Sequence, residues 1–105
     1  MGSVKLKALD PEKFKMVIEI ADEEEVDKVL RLLFVAGIKH TKPKGSYSVE
    51  IKCTVNTEEK YERIIRCLAD WLGTTEGMIM SSPIFKRYLR RIHEKANKSN
   101  RRRTS

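Results

Sequence analysis

Phe14, Met16, Ile18 and Ile20 alternate with Lys13, Lys15, Val17 and Glu19. A period of two puts the first set on a buried face and the second on an exposed one, which predicts a half-buried strand. Asp22-Glu23-Glu24-Glu25 follows. Asp22 has the short acceptor side chain of a helix cap, Glu25 stands at the reciprocal capping position, and the carboxylates suit a positive helix start. Val26, Val29, Leu30 and Leu33 then recur at helical spacing, and Gly37 is a natural stop.

Ile38 to Pro43 predicts a short edge strand, because Pro43 has no N–H for a central ladder. Lys44-Gly45-Ser46 reads as a hairpin turn. Tyr47, Val49, Ile51, Cys53 and Val55 give the clearest alternation in the chain, with Ser46, Ser48, Glu50, Lys52 and Thr54 opposite. Asn56 and Glu59 form a second capping box. It precedes a helix whose apolar stripe is Tyr61, Ile64, Ile65, Leu68 and Leu72, ended by Gly73. Gly77 to Ser81, with Met78 and Met80 as packing residues, predicts a short fourth strand, without which a three-stranded βαββα layer remains. Ser82 and Pro83 then open a third helix. Its apolar side is Phe85, Tyr88, Leu89, Ile92 and Ala96; its other side carries Lys86, Arg87, Arg90, Arg91 and Lys98. Nothing apolar remains beyond Lys98, so the end is expected to be disordered.

This order predicts an α+β two-layer sandwich, ferredoxin-like βαββα(β), with a C-terminal basic amphipathic helix. The expected organisation is an N-terminal arm over 1–12, the sandwich over 13–83, the basic helix over 84–98 and a disordered basic tail over 99–105.

With 105 residues, 40% of them hydrophobic, the chain can build one modest core and is not a fully disordered polymer. No apolar run approaches the roughly 20 residues of a membrane span. Met1 to Asp10 alternates Lys with single hydrophobes, so no secretory signal is expected. Cys53 and Cys67 are too few for a disulfide scaffold, which points to a reducing, intracellular setting, cytoplasmic or nuclear.

Charge changes the picture most. The chain carries +7 overall. Residues 84–105 hold nine bases and one acid, Glu94, a net +8; residues 1–83 hold 13 bases and 14 acids, a net −1. A near-neutral body with a strongly basic end points to a polyanion partner. Lys86, Arg87, Arg90, Arg91, Lys95 and Lys98 on the helix, and Arg101, Arg102 and Arg103 beyond it, are the expected phosphate contacts. Guanidinium groups give planar bidentate hydrogen bonds, and released counterions supply affinity. Lys39, Lys42 and Lys44, beside His40, form a second basic cluster, whose structural alternative is protection of a sheet edge. The structural alternative for the helix is a solvated basic surface, and for the arginine run a localisation address.

Lys44 to Ile51 resembles the third-strand pattern of RNA-recognition motifs in its Lys-Gly start and in Val49. The positions that carry stacking aromatics in that family hold Ser46 and Ser48, and Tyr47 alternates with the core set. The outer sheet face is therefore expected to be polar, without base stacking on its central strands. Trp71 and Tyr61 are expected as core or interface residues, Cys53 and Cys67 as buried thiols. With His40 and His93 as the only histidines, no metal site is expected. There is no phosphate-binding Gly-Lys-Ser/Thr loop, nucleophile elbow or His-Glu-x-x-His, so no catalytic residue and no cofactor is assigned.

The expected function is a small non-enzymatic nucleic-acid-binding module, with RNA or a ribonucleoprotein preferred over DNA. The alternative is a protein-interaction or assembly subunit of a larger complex, using the apolar stripe of the C-terminal helix or a sheet edge. Phe85, Tyr88, Leu89 and Ile92 need cover, which the open sheet face over Val17 and Ile79, a second copy in a dimer, or another protein would each supply.

Overall fold

The computed structural model describes residues 4–45 and 47–104, with side chains described through residue 98. Strand β1 (Val4–Asp10) turns back into β2 (Lys15–Ile20); helix α1 (Glu23–Val35), β3 (Lys39–His40), β4 (Val49–Thr54), α2 (Glu58–Leu72), α3 (Glu76–Met80) and α4 (Pro83–Thr104) follow. The strands form one four-stranded sheet in the order β1-β2-β4-β3, every neighbouring pair antiparallel.

One sheet face is apolar because the alternation places it so. Met16 pairs with Cys53 and Ile18 with Ile51, and all four are fully buried. Helix α1 covers this face with Val29 and Leu33, and α2 with Tyr61, Ile64, Ile65 and Leu68. Asp22 caps α1, its Oδ1 accepting from the Glu24 N–H at 3.0 Å. Gly73 ends α2 at φ 65, a left-handed conformation that costs glycine little. The result is an α+β layered fold, as the sequence predicts.

Several boundaries differ from the expectation. The arm over 1–12 is largely β1: Val4, Leu6 and Leu9 face the core, but a register shift between Leu6 and Ala8 breaks the period of two and hides the strand in the sequence. Met78 to Ser81 is not a strand. Thr75 Oγ1 accepts from the Met78 N–H at 3.2 Å, starting the short helix α3, and β1 already occupies the sheet edge beside β2. The fourth strand therefore comes from before the βαββα segment instead of after it, and the ferredoxin-like order does not arise. The cap of α2 is Thr57, one residue beyond Asn56, with Oγ1 accepting from the Lys60 N–H at 3.2 Å. Helix α4 continues to Thr104, past the expected end at Lys98: no Gly or Pro interrupts 84–104, and Lys and Arg are good helix formers.

Tyr47 is the largest side-chain correction. It is 97% exposed rather than buried. The ladder between β2 and β4 ends at the Ile20–Val49 pair, so Tyr47 lies beyond the sheet and its parity has nothing to pack on.

Candidate nucleic-acid interface

Helix α4 is anchored by the apolar stripe that the sequence singles out. Phe85, Tyr88 and Ile92 are buried in the chain's own core, and Leu89 packs against it. The Tyr88 ring stacks on Tyr61 at 6.0 Å between centroids and meets Phe14 edge-on at 6.3 Å. Its hydroxyl donates to the Val55 carbonyl at 2.7 Å, and the Tyr61 hydroxyl donates to the Phe85 carbonyl at 3.2 Å. Burial raises both phenols above their ordinary range, so both remain proton donors. The helix thus sits at one end of the sandwich, against α2, α3 and the β1–β2 turn. It does not cross the open sheet face, and its stripe needs neither a second copy nor another protein to cover it. This removes the structural basis for an interface built on Phe85, Tyr88, Leu89 and Ile92.

Burial along α4 stops at Ile92; His93 to Lys98 are all exposed. The basic residues divide accordingly. Glu12, in the β1–β2 turn, takes Arg87 Nη2 at 2.9 Å and Arg91 Nη2 at 3.4 Å. Arg91 also reaches Glu94 at 2.9 Å, and its Nε is buried without a partner. These two guanidiniums are therefore part of the helix anchor. Each exposed pair stabilises by about 0–1 kcal/mol. Lys95 Nζ lies 5.0 Å from the Phe14 ring centroid, a further clasp on the same turn. Lys86, Arg90 and Lys98 are exposed and have no ion-pair partner among the described residues. The side chains of Arg101, Arg102 and Arg103 lie outside the described residues.

Of the second expected cluster, Lys39 and Lys44 are on the side of the sheet opposite α1 and α2, whereas Lys42 lines a separate depression with Leu30 of α1 and His40. Lys39 pairs with Thr54 on the outer face, Lys44 bridges to Glu50, and Lys42 is exposed between them. Here the structure adds residues that the sequence reading does not assign. Three cross-strand rows run over this face: Lys5–Glu19–Glu50–Lys44, then Ala8–Val17–Lys52, then Asp10–Lys15–Thr54–Lys39. Lys7 stands at the register shift and contacts Glu50. Lys5 approaches Glu19 at 3.6 Å, and Lys15 donates to Thr54 Oγ1 at 2.5 Å. Six lysines against Asp10, Glu19 and Glu50 leave the face basic. The Asp10 carboxylate is further engaged by the Glu12 and Lys13 backbone N–H groups. Lys7, Ala8, Val17, Thr41, Lys44, Glu50 and Lys52 surround a shallow depression of about 330 Å3. The signal in the sequence is the run Val4-Lys5-Leu6-Lys7, a strand period cut short by the bulge.

Cys53 is buried, and burial pushes its thiol up to about 12; burial, then Asp70, raises Cys67. No group of three or more His, Cys, Asp and Glu side chains is placed to hold a metal ion among the described residues. No helix among them is long and apolar enough to cross a membrane. No protein-family model, no curated protein and no solved structure matches the chain.

Proposed function

We propose that this chain is a small, non-enzymatic, intracellular nucleic-acid-binding module that prefers RNA to DNA and holds it chiefly by phosphate contacts. The observation that carries the reading is the +8 of residues 84–105 against −1 for the rest. It is supported by the way α4 leaves the body: the apolar stripe docks the first turns, and beyond it His93 to Lys98 are exposed. Lys86, Arg90 and Lys98 are the cations of choice, because Arg87 and Arg91 are engaged by Glu12. Lys39, Lys42 and Lys44 supply a second contact. An assembly role through Phe85 and Leu89 is not proposed, because Phe85 is buried and Leu89 packs against this chain's own core.

The test is a mobility-shift series across salt with single- and double-stranded RNA and DNA. Full-length protein is compared with a Lys86→Gln, Arg90→Gln, Lys98→Gln variant. Shortening the chain at Pro83 would be a poor comparison, since it removes Tyr88 from the core. Log K should fall with log salt by about 0.9 per phosphate contact on duplex DNA and about 0.7 on single strands. The triple variant should lose about 2.7 of that slope on duplex DNA and about 2.1 on single strands. Absence of binding at low salt, or a variant that binds as the wild type does, refutes the reading.

A further inference from the structure

The open sheet face and the hairpin beside it combine two features that a single nucleic-acid strand requires. One is a cationic track: Lys44 and Lys52 have no ion-pair partner among the described residues, and they flank a floor of Ala8 and Val17. The three rows span about 13 Å along the strands at roughly 3.3 Å per residue. The other is an aromatic ring with nothing of its own to pack on. Tyr47 is 97% exposed, in the hairpin closed by the Lys44–Glu50 bridge, and both bridge residues line the depression. A buried tyrosine would be core. One left almost wholly in water, three residues along the chain from Lys44, is available to a flat partner.

Backbone geometry is restrictive at Gly45. Gly45 has φ 123, and a Cβ there would stand 2.0 Å from the Ser48 carbonyl oxygen. Only glycine fits at position 45 without distortion, and the backbone pairing of Lys44 with Glu50 ties both ends of the hairpin that carries Tyr47 to the sheet edge.

We infer that Tyr47 stacks on an unpaired base while Lys44 and Lys52 hold the adjoining phosphates, making the open sheet face a binding site for a single strand of RNA. This rests on the nucleic-acid reading above and narrows it from polyanion contact to single strands. It differs from stacking on the central strands, where Ser48 and the lysine rows offer no ring. Stacking is sequence-tolerant, because every base has a π-face. In a duplex the bases are already paired and stacked, so the ring gains nothing there.

The experiment measures fluorescence anisotropy of labelled oligouridylate, oligothymidylate and duplex RNA with the full chain. The variants are Tyr47→Ala, Tyr47→Phe and Lys44→Gln with Lys52→Gln, each checked by urea denaturation for an unchanged midpoint. Tyr47→Ala should weaken oligouridylate binding about fivefold to a hundredfold, with Tyr47→Phe within about twofold of wild type and the duplex unaffected. The lysine pair should lower the salt slope on oligouridylate by about 1.4. Oligouridylate binding by Tyr47→Ala equal to wild type, or an equal loss on the duplex, overturns the stacking site. Oligothymidylate bound more tightly than oligouridylate overturns the choice of RNA. Wild-type protein that binds none of the three refutes the nucleic-acid reading itself, whereas wild-type binding that only the α4 variant weakens refutes the sheet-face site alone.

Discussion

Helix α4 and the open sheet face carry charge of the same sign for different physical reasons. On α4 the arginines nearest the body are turned inward on Glu12, and they hold the helix against the β1–β2 turn. On the sheet, lysines stand in cross-strand rows, and only some of them meet a carboxylate. A charge count along the sequence gives the helix the greater weight. Tertiary pairing redistributes it: cations that fasten an element are less available to a ligand than cations whose neighbours are neutral. Arginine suits fastening, because its planar fork can serve two carboxylates at once.

The strongest way to break this contrast is to remove the anchor. Tyr88→Ala deletes a fully buried ring, two aromatic contacts and the hydrogen bond to Val55. It should cost about 3–5 kcal/mol in urea unfolding, as large aromatic truncations do. A loss under about 1 kcal/mol would mean that α4 is not docked as described.

A second test uses pH. The Cys53 thiol has its ordinary value near 9.0 and is raised by burial to about 12 in the folded chain, and Tyr88 shifts in the same direction. A raised folded-state value means that the folded protein binds the proton more tightly. The corresponding stability is fully present below pH 9 and is lost as pH rises from 9 toward 12. Denaturation midpoints followed from pH 8 to 11 should therefore fall on the alkaline side, and Cys53→Ala should reduce the slope. A flat profile would contradict the burial of both groups.

Gly45→Ala should cost about 1–3 kcal/mol through backbone strain at the hairpin. It should also lower single-strand affinity, since the same turn positions Tyr47; unchanged stability by urea denaturation would show that the turn relaxes freely.

The smallest effect discriminates most finely. Glu12→Gln removes the carboxylate that faces both Arg87 and Arg91, freeing Arg87 and leaving Arg91 its contact with Glu94. Stability should drop by at most about 1 kcal/mol, while RNA affinity at low salt should improve about twofold. Stability and affinity moving in opposite directions would separate fastening from binding; a joint decrease would show that the helix must be clamped in order to bind.

Much of the body is legible in the amino-acid pattern. The alternations at Met16–Ile20 and Ile51–Val55, the stripes of α1 and α2, the Asp22 cap and the Gly73 stop all appear in the fold, because each is a local rule satisfied locally. The first strand was hidden for an equally local reason: the bulge at Lys7 slips the period by one residue. Gly77 to Ser81 misled because five apolar and small residues fit a buried strand or a short helix equally well, and the Thr75 cap favours the helix. Tyr47 defeated the parity rule because alternation does not reveal where a ladder runs out of partners. Of the expected site, Lys86, Arg90 and Lys98 are exposed and Lys44 lies beside the depression; Glu12, distant in sequence, pairs with Arg87 and, alongside Glu94, with Arg91.

The edge position held by β1 also bears on how the protein is made. Every strand among the described residues ends by Thr54, so the whole hydrogen-bonded sheet is encoded in roughly the first half of the chain. During synthesis its registers can be set before α4 leaves the ribosome. Until Tyr61, Ile64 and Leu68 emerge, however, Met16, Ile18 and Ile51 have only α1 for shelter, and the nascent sheet passes through an interval in which premature release would leave it prone to aggregate.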